Sequence, residues 1–146
     1  MSATYEHDLY AWTHAQAQAL REKEWAALDV ANLAEEIESL GNEQAHAVES
    51  HLANLLLHLV KWHYQPRRRS RSWRTSLRNA RIQIRRRLQR SPSLQPELPT
   101  LVETAYADAR KLATDETGLP LATFPERCPW SLDQLQDEDF LSEETG

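Results

Sequence analysis

The chain has 146 residues, of which 40% are hydrophobic and 27% are charged, and its formal net charge is −5. This length fits one domain with a single core, and the composition is typical of a globular protein rather than a disordered one. Strong helix formers dominate, which argues against a sheet-based core. No apolar run reaches the roughly 18 residues of a membrane span, so we expect no membrane-spanning segment. The start of the chain has no secretory signal pattern and Cys128 is the single cysteine, so we expect a cytoplasmic protein.

Positive charge is concentrated in one segment of the chain. Eleven arginines fall between Arg67 and Arg90, and no Asp or Glu occurs from Ser50 to Pro96. A mildly acidic protein therefore contains one intensely cationic stretch, and anions must lie opposite it. The chain's own acidic helices, a nucleic acid and an acidic partner are the alternatives.

Hydrophobic periodicity predicts two helices in the first half. The first covers about Asp8 to Arg21, and the second runs from an N-cap at Asp29 to about Trp62. Gly41 could end the second helix, but the apolar stripe resumes in phase beyond it, so one long helix with a bend is the economical interpretation. The stripe predicts that one face is turned to the core, and that face consists of Leu33, Ile37, Leu40, Gln44, Val48, His51, Leu55, His58 and Trp62.

Three more helices follow. Ser70 or Ser72 can cap a third helix that runs to about Arg90, with an apolar stripe from Trp73 to Leu88. A fourth is expected to begin between Ser93 and Thr100 and to end at Gly118, which suits the residue after a helix. The remainder should be irregular, apart from a short helix after Ser131, and it is expected to wrap over the bundle.

Four arginines of the third helix form one line along it, because their spacing is i, i+4, i+7 and i+11. We call Arg74, Arg78, Arg81 and Arg85 the arginine ridge. Like charges at this spacing destabilise an isolated helix, so the fold must place anions beside them. Phosphates of a nucleic acid are one alternative, and these four residues are then the binding site. The favoured alternative is internal pairing with the acids of the second helix, which are Glu35, Glu36, Glu38, Glu43 and Glu49.

A second candidate site combines acids and histidines of the long helix. His51 and His58 lie seven residues apart on a face that is otherwise apolar, and Glu35 and Glu36 precede them. Carboxylates and histidines are the ligands of metal sites in helical bundles, and those sites usually show Glu-x-x-His pairs, of which Glu43-x-x-His46 is a single example here. Two histidines at i and i+7 are about 10 Å apart along the axis, too far to chelate one ion directly. Structural histidines are therefore the favoured interpretation, and we predict no metal or other cofactor.

Several stretches together resemble the bacterial domain-of-unknown-function 29 family. The resemblance covers nearly the whole chain and implies a compact bacterial helical protein, but it supplies no mechanism. The matching stretches are Tyr5 to Trp12, Asn32 to Gly41, Leu55 to Trp62, Gln65-Pro66, Ser70 to Trp73, Ser91 to Leu94, Cys128-Pro129 and Asp137 to Leu141.

These observations predict an all-α bundle of four principal helices with a short fifth helix. We expect one domain over residues 1–146, with a core at about 5–118 and a wrapped segment at 119–146. The leading functional hypothesis is a non-enzymatic protein-interaction or regulatory module with an unknown protein partner. A nucleic-acid or polyanion binder acting through Arg67 to Arg90 is the alternative, and a metal-dependent enzyme using Glu35, Glu36, His51 or His58 is the third. Membrane binding is not expected, and a homo-oligomer is left open.

Overall fold

A computed structural model describes residues 4–141 of the chain, and all regular secondary structure within that range is helical. Short 3-10 turns join the helices, and no strand occurs among these residues. The all-α prediction is confirmed. None of the helices in this range is both long and apolar enough to cross a membrane. The helices are α1 (Leu9–Arg21), α2 (Val30–Tyr64), α3 (Arg71–Arg90), α4 (Leu98–Thr117) and α5 (Leu132–Gln136).

The chain divides into two compact units at the bond between Glu43 and Gln44, within α2. The N-terminal unit is an αα-hairpin made of α1, a 3-10 turn at Trp25–Ala27 and the first part of α2. The C-terminal unit holds the rest of α2 together with α3, α4 and α5. The expectation of a single domain stays a prediction.

The helix ends follow the local chemistry of the sequence. Asp8 caps α1 by accepting a hydrogen bond from the amide of Ala11 at 3.0 Å. Ser70 caps α3 in the same way, and Ser131 opens α5 with a capping box that it shares with Gln134. Gly118 ends α4 with φ at +75°, in the left-handed region that glycine tolerates best. The predicted helix boundaries are therefore confirmed to within a few residues.

Helix α2 is continuous through Gly41, but its predicted core face is only half correct. Val48, Leu55 and Trp62 are buried, as the stripe requires. Ile37 and Leu40 are instead 66% and 61% exposed, so their placement in the core was wrong. Periodicity identifies an apolar face but does not reveal whether another element covers it.

The core of the C-terminal unit also draws on the segment after α4. Phe124 is 1% exposed, and the main chain around it is tied to α4. Tyr106 donates its hydroxyl to the carbonyl of Pro125 at 2.6 Å, and Arg110 donates to the carbonyl of Phe124 at 3.1 Å. Leu135 of α5 is buried as well. The segment expected to wrap over the bundle thus supplies part of its interior, which places core residues beyond the predicted limit at 118.

Candidate functional site

The arginine ridge flanks the buried face of α3, and its four members have different environments. Leu77, Ala80 and Ile84 turn that face into the core. Arg81 lies next to them and is only 4% exposed, whereas Arg74, Arg78 and Arg85 are exposed. The ridge predicted from the sequence is therefore one buried cation among three surface cations.

Arg81 binds the main chain of the C-terminal segment through all three of its guanidinium nitrogens. Nε donates to the carbonyl of Leu135 at 2.9 Å, Nη1 to that of Phe140 at 2.9 Å and Nη2 to that of Gln134 at 3.2 Å. Burial lowers the pKa of Arg81, and the nearby carboxylates of residues 137–139 act in the opposite direction. An arginine stays charged in proteins, so this cation is stabilised by carbonyl dipoles together with that acidic stretch.

The other ridge arginines also find partners different from the expected ones. Arg85 forms an ion pair with Glu138, and both side chains are about half exposed, at 51% and 43%. Arg74 lies over the ring of the buried Trp62 with 5.3 Å from Cζ to the centroid, a cation–π contact. For Arg81 and Arg85, the expected pairing with glutamates of α2 was therefore wrong, because the C-terminal segment supplies their partners.

The histidines of the second candidate site are both half-buried. Nδ1 of His58 is 2.8 Å from the carbonyl oxygen of Asn54, one turn earlier in α2. Burial lowers the pKa of His58 and, with the charge of Arg87, that of His51. Both rings therefore favour the neutral form, as side chains of a packed helix face do.

The two glutamates of that candidate site differ in their surroundings. The hydroxyl of Tyr5 donates to Glu36, and this bond is the main cause that raises the pKa of Tyr5 to about 12. Glu35 is exposed. Within residues 4–141, no three His, Cys, Asp or Glu side chains lie close enough together to hold a metal ion. The four residues Glu35, Glu36, His51 and His58 therefore do not form one ligand cluster.

The N-terminal hairpin contains a groove that the sequence did not predict as a site. The groove has a volume of about 320 Å³ and lies between α1 and residues 33–43 of α2. Leu20, Ile37 and Leu40 line it and remain 46%, 66% and 61% exposed. The sequence did contain a signal for this groove. The apolar stripe at residues 33–40 has one short neighbouring helix of 13 residues to cover it.

Partly buried polar contacts fix the base of this hairpin. The indole nitrogen of Trp12 donates to Asp29 at 3.2 Å, and the main-chain amide of Asp29 donates to Gln16 at 2.8 Å. Hydrogen bonds from Asn32, and a further one from Trp12, lower the pKa of Asp29. Tyr5 packs edge-on against Trp12 with 4.9 Å between ring centroids. The groove is therefore built on a hydrogen-bonded frame that holds the two helices together.

Two carboxylates lie at the groove. Glu36 and Glu43 line it directly. Residues 1–43 contain nine acidic and two basic residues, a formal charge of −7. The hairpin thus offers an apolar floor with two glutamates at its border, in a segment whose net charge is negative.

Comparison with known proteins finds a family but no activity. A family model described as "Domain of unknown function DUF29" matches residues 4–141. No curated protein and no solved structure matches the chain.

Replacing Arg81 by alanine should lower the free energy of unfolding by at least about 3 kcal/mol, because three main-chain carbonyls lose a charged donor. Arg78→Ala is the matched control on the same helix face and should change it by no more than about 0.5 kcal/mol, since Arg78 is exposed. Urea denaturation of the two variants measures both values. Equal losses of unfolding free energy in the two variants would show that the hydrogen bonds of Arg81 to the C-terminal segment do not stabilise the fold.

The neutral histidines predict a loss of stability in mild acid. The folded pKa of His58 lies below its ordinary value of 6.5, so the unfolded chain binds the proton more readily. This contribution to stability is complete above about pH 6.5 and is lost as the pH falls towards the folded pKa. The melting temperature of His58→Gln should therefore fall less than that of the original protein between about pH 7 and pH 5.5.

The exposed His46 of α2 provides the control for this measurement. His46→Gln shows how far removal of an exposed imidazole alone changes the melting temperature. A His58→Gln variant with the full pH dependence would contradict the assignment to His58.

Proposed function

The chain belongs to the DUF29 family of domains of unknown function, and we propose that it is a non-enzymatic protein-interaction module. In this proposal its N-terminal hairpin binds a cationic amphipathic helix of a partner protein. The observation that carries the proposal is the exposure of Ile37 and Leu40 beside Leu20 in the groove between two helices.

An apolar contact of this kind favours a helix as the ligand. Ile37 and Leu40 are three residues apart on α2 and therefore face the same direction. Leu20 and Ala17 provide the opposite wall from α1. A groove between two helices accepts the apolar face of a third helix, with side chains at i, i+3, i+4 and i+7 as anchors. Burial of one leucine or isoleucine side chain contributes about 1.5–3 kcal/mol to such binding.

The charge of the N-terminal hairpin determines which partner helix it binds best. A formal charge of −7 on residues 1–43 attracts a helix that carries Lys or Arg beside its leucines. The same charge opposes pairing of two copies of this hairpin, because two acidic borders would meet. A positively charged partner is therefore preferred over a second copy of the chain.

Binding of a synthetic peptide tests this proposal. A fluorescein-labelled amphipathic helix with leucines on one face and lysines on both flanks should bind the full chain in a fluorescence anisotropy titration. Ile37→Ser and Leu40→Ser should each weaken binding about tenfold, which corresponds to about 1.4 kcal/mol. Val30→Ser is the matched control, since Val30 is an exposed apolar residue of α2 that does not line the groove.

Two further measurements separate the alternatives. A peptide with glutamates in place of its lysines should not bind, and Glu43→Gln should reduce the salt dependence of binding. Sedimentation that reveals a dimer lost in Leu40→Ser would identify a second copy as the occupant instead. Equal binding by the Val30→Ser and Leu40→Ser variants would refute the groove as the binding surface.

Exposed arginines favour polyanion binding as a second candidate function. Besides Arg85, which is paired with Glu138, seven arginines of the cationic stretch are exposed, and they are Arg67, Arg68, Arg71, Arg74, Arg78, Arg86 and Arg90. Such a surface suits contacts with phosphates of a nucleic acid. The acidic residues Asp137, Glu138 and Asp139 lie near Arg81 and weaken the local attraction for anions.

A salt titration tests this second candidate. Binding of a labelled single-stranded oligonucleotide should weaken in Arg71→Gln and Arg86→Gln, and each lost phosphate contact should reduce the salt slope by about 0.7. Arg21→Gln, on the N-terminal hairpin, is the control and should bind as the original protein does. Salt-independent or absent binding would remove this candidate.

As part of the same proposal, we place the protein in the bacterial cytoplasm. Its single cysteine, Cys128, is a free thiol whose pKa is raised by burial. A chain with one thiol and no internal disulfide suits a reducing compartment.

A further inference from the structure

A second cavity lies in the C-terminal unit, between α3 and the segment at residues 134–140 that Arg81 anchors. It has a volume of about 300 Å³, near the lower limit for small-molecule pockets. It shares no residue with the groove of the N-terminal hairpin, so its role does not depend on the function proposed above.

One side of this cavity is apolar and fixed in position. Ile84 and Leu135 belong to the buried core, and Leu88 of α3 packs against that core. All three line the cavity. An aliphatic or aromatic group of a ligand would therefore contact a preformed apolar wall, which is the general character of small-molecule sites.

The other side of the cavity is polar. The amide side chains of Gln89, Gln95 and Gln136 line it, as do the ion-paired Arg85 and Glu138. Arg81 also lines the cavity, but it already donates to three carbonyls. Arg85 is the cation that can change partners, because its pair with Glu138 is half exposed and such pairs contribute little to stability.

We propose that this cavity binds a small amphipathic carboxylate. The carboxylate lies on the guanidinium of Arg85 in place of Glu138, where the planar fork can bind both oxygens. The apolar body of the ligand lies against Ile84, Leu88 and Leu135. Glu138 is thus an internal competitor that occupies Arg85 when no ligand is bound.

Octanoate is a suitable probe for this site, with octanol as its uncharged counterpart. Octanoate should bind the full chain saturably. The titration is monitored by isothermal calorimetry and by the nuclear magnetic resonance shifts of the methyl groups of Leu88 and Leu135. Octanol should bind at least about fivefold more weakly, because it lacks the charge that Arg85 recognises.

Four variants separate the contributions to binding. Arg85→Gln should weaken octanoate binding about fivefold or more, and Glu138→Gln should strengthen it by removing the competing carboxylate. Leu88→Trp should abolish binding by filling the cavity. Arg86→Gln is the matched control, because Arg86 is the exposed neighbour of Arg85 that does not line the cavity, and it should bind octanoate unchanged.

Several outcomes would overturn the proposal. Equal affinities for octanoate and octanol would refute recognition of the carboxylate. Equal losses in Arg85→Gln and Arg86→Gln would reduce the effect to general surface charge. Retained octanoate binding in a folded Leu88→Trp variant, or no saturable binding to the original protein, would refute the cavity as the site. None of these results bears on the peptide titration of the N-terminal hairpin, so the two proposals fail separately.

Discussion

The buried guanidinium of Arg81 is the interaction on which the C-terminal unit depends. It is placed by α3 and satisfied by carbonyls from α5 and from Phe140, so one side chain ties two distant parts of the chain together. A hydrophobic side chain of similar size could fill the same space, but it would leave those carbonyls without donors. Leu135 in the core, the pair between Arg85 and Glu138 and the cavity between α3 and α5 all lie beside this anchor.

The distribution of charge gives the two units different chemistry. Residues 1–43 have a formal charge of −7, and residues 44–146 have a formal charge of +2 although they contain nearly all the arginines. The arginine-rich helix is therefore compensated within its own unit, partly by the acidic stretch at residues 137–139 that acts on Arg81. The N-terminal hairpin has no comparable compensation, and this is why its acidic border is available to an external cation.

Features that depend on neighbouring residues, such as helix caps, could be predicted from the sequence. The burial of individual side chains could not, because it depends on residues far away in the chain. Caps at Asp8, Ser70 and Ser131 act within one turn of their helices, so their positions could be derived. The distinction between Arg81 and Arg78 could not, because both belong to the same ridge and their environments differ only through a segment more than fifty residues later. Exposure of Ile37 and Leu40 was missed for the same reason, since an apolar stripe does not state what covers it.

The two proposed sites use the same principle in different forms. In each, an apolar surface lies beside charge, but the groove of the hairpin is lined by exposed apolar side chains and glutamates, whereas the cavity of the C-terminal unit has core residues as its wall and an arginine–glutamate pair at its rim. An open groove of exposed side chains suits a macromolecule, because only a long ligand can bury enough area there to offset the entropy of association. A cavity with core residues as its wall suits a small molecule, because its apolar surface is already in position and little ordering is needed when the ligand binds. The second site also contains an internal competitor, which the first site lacks: a ligand must displace the carboxylate of Glu138 before it can bind Arg85.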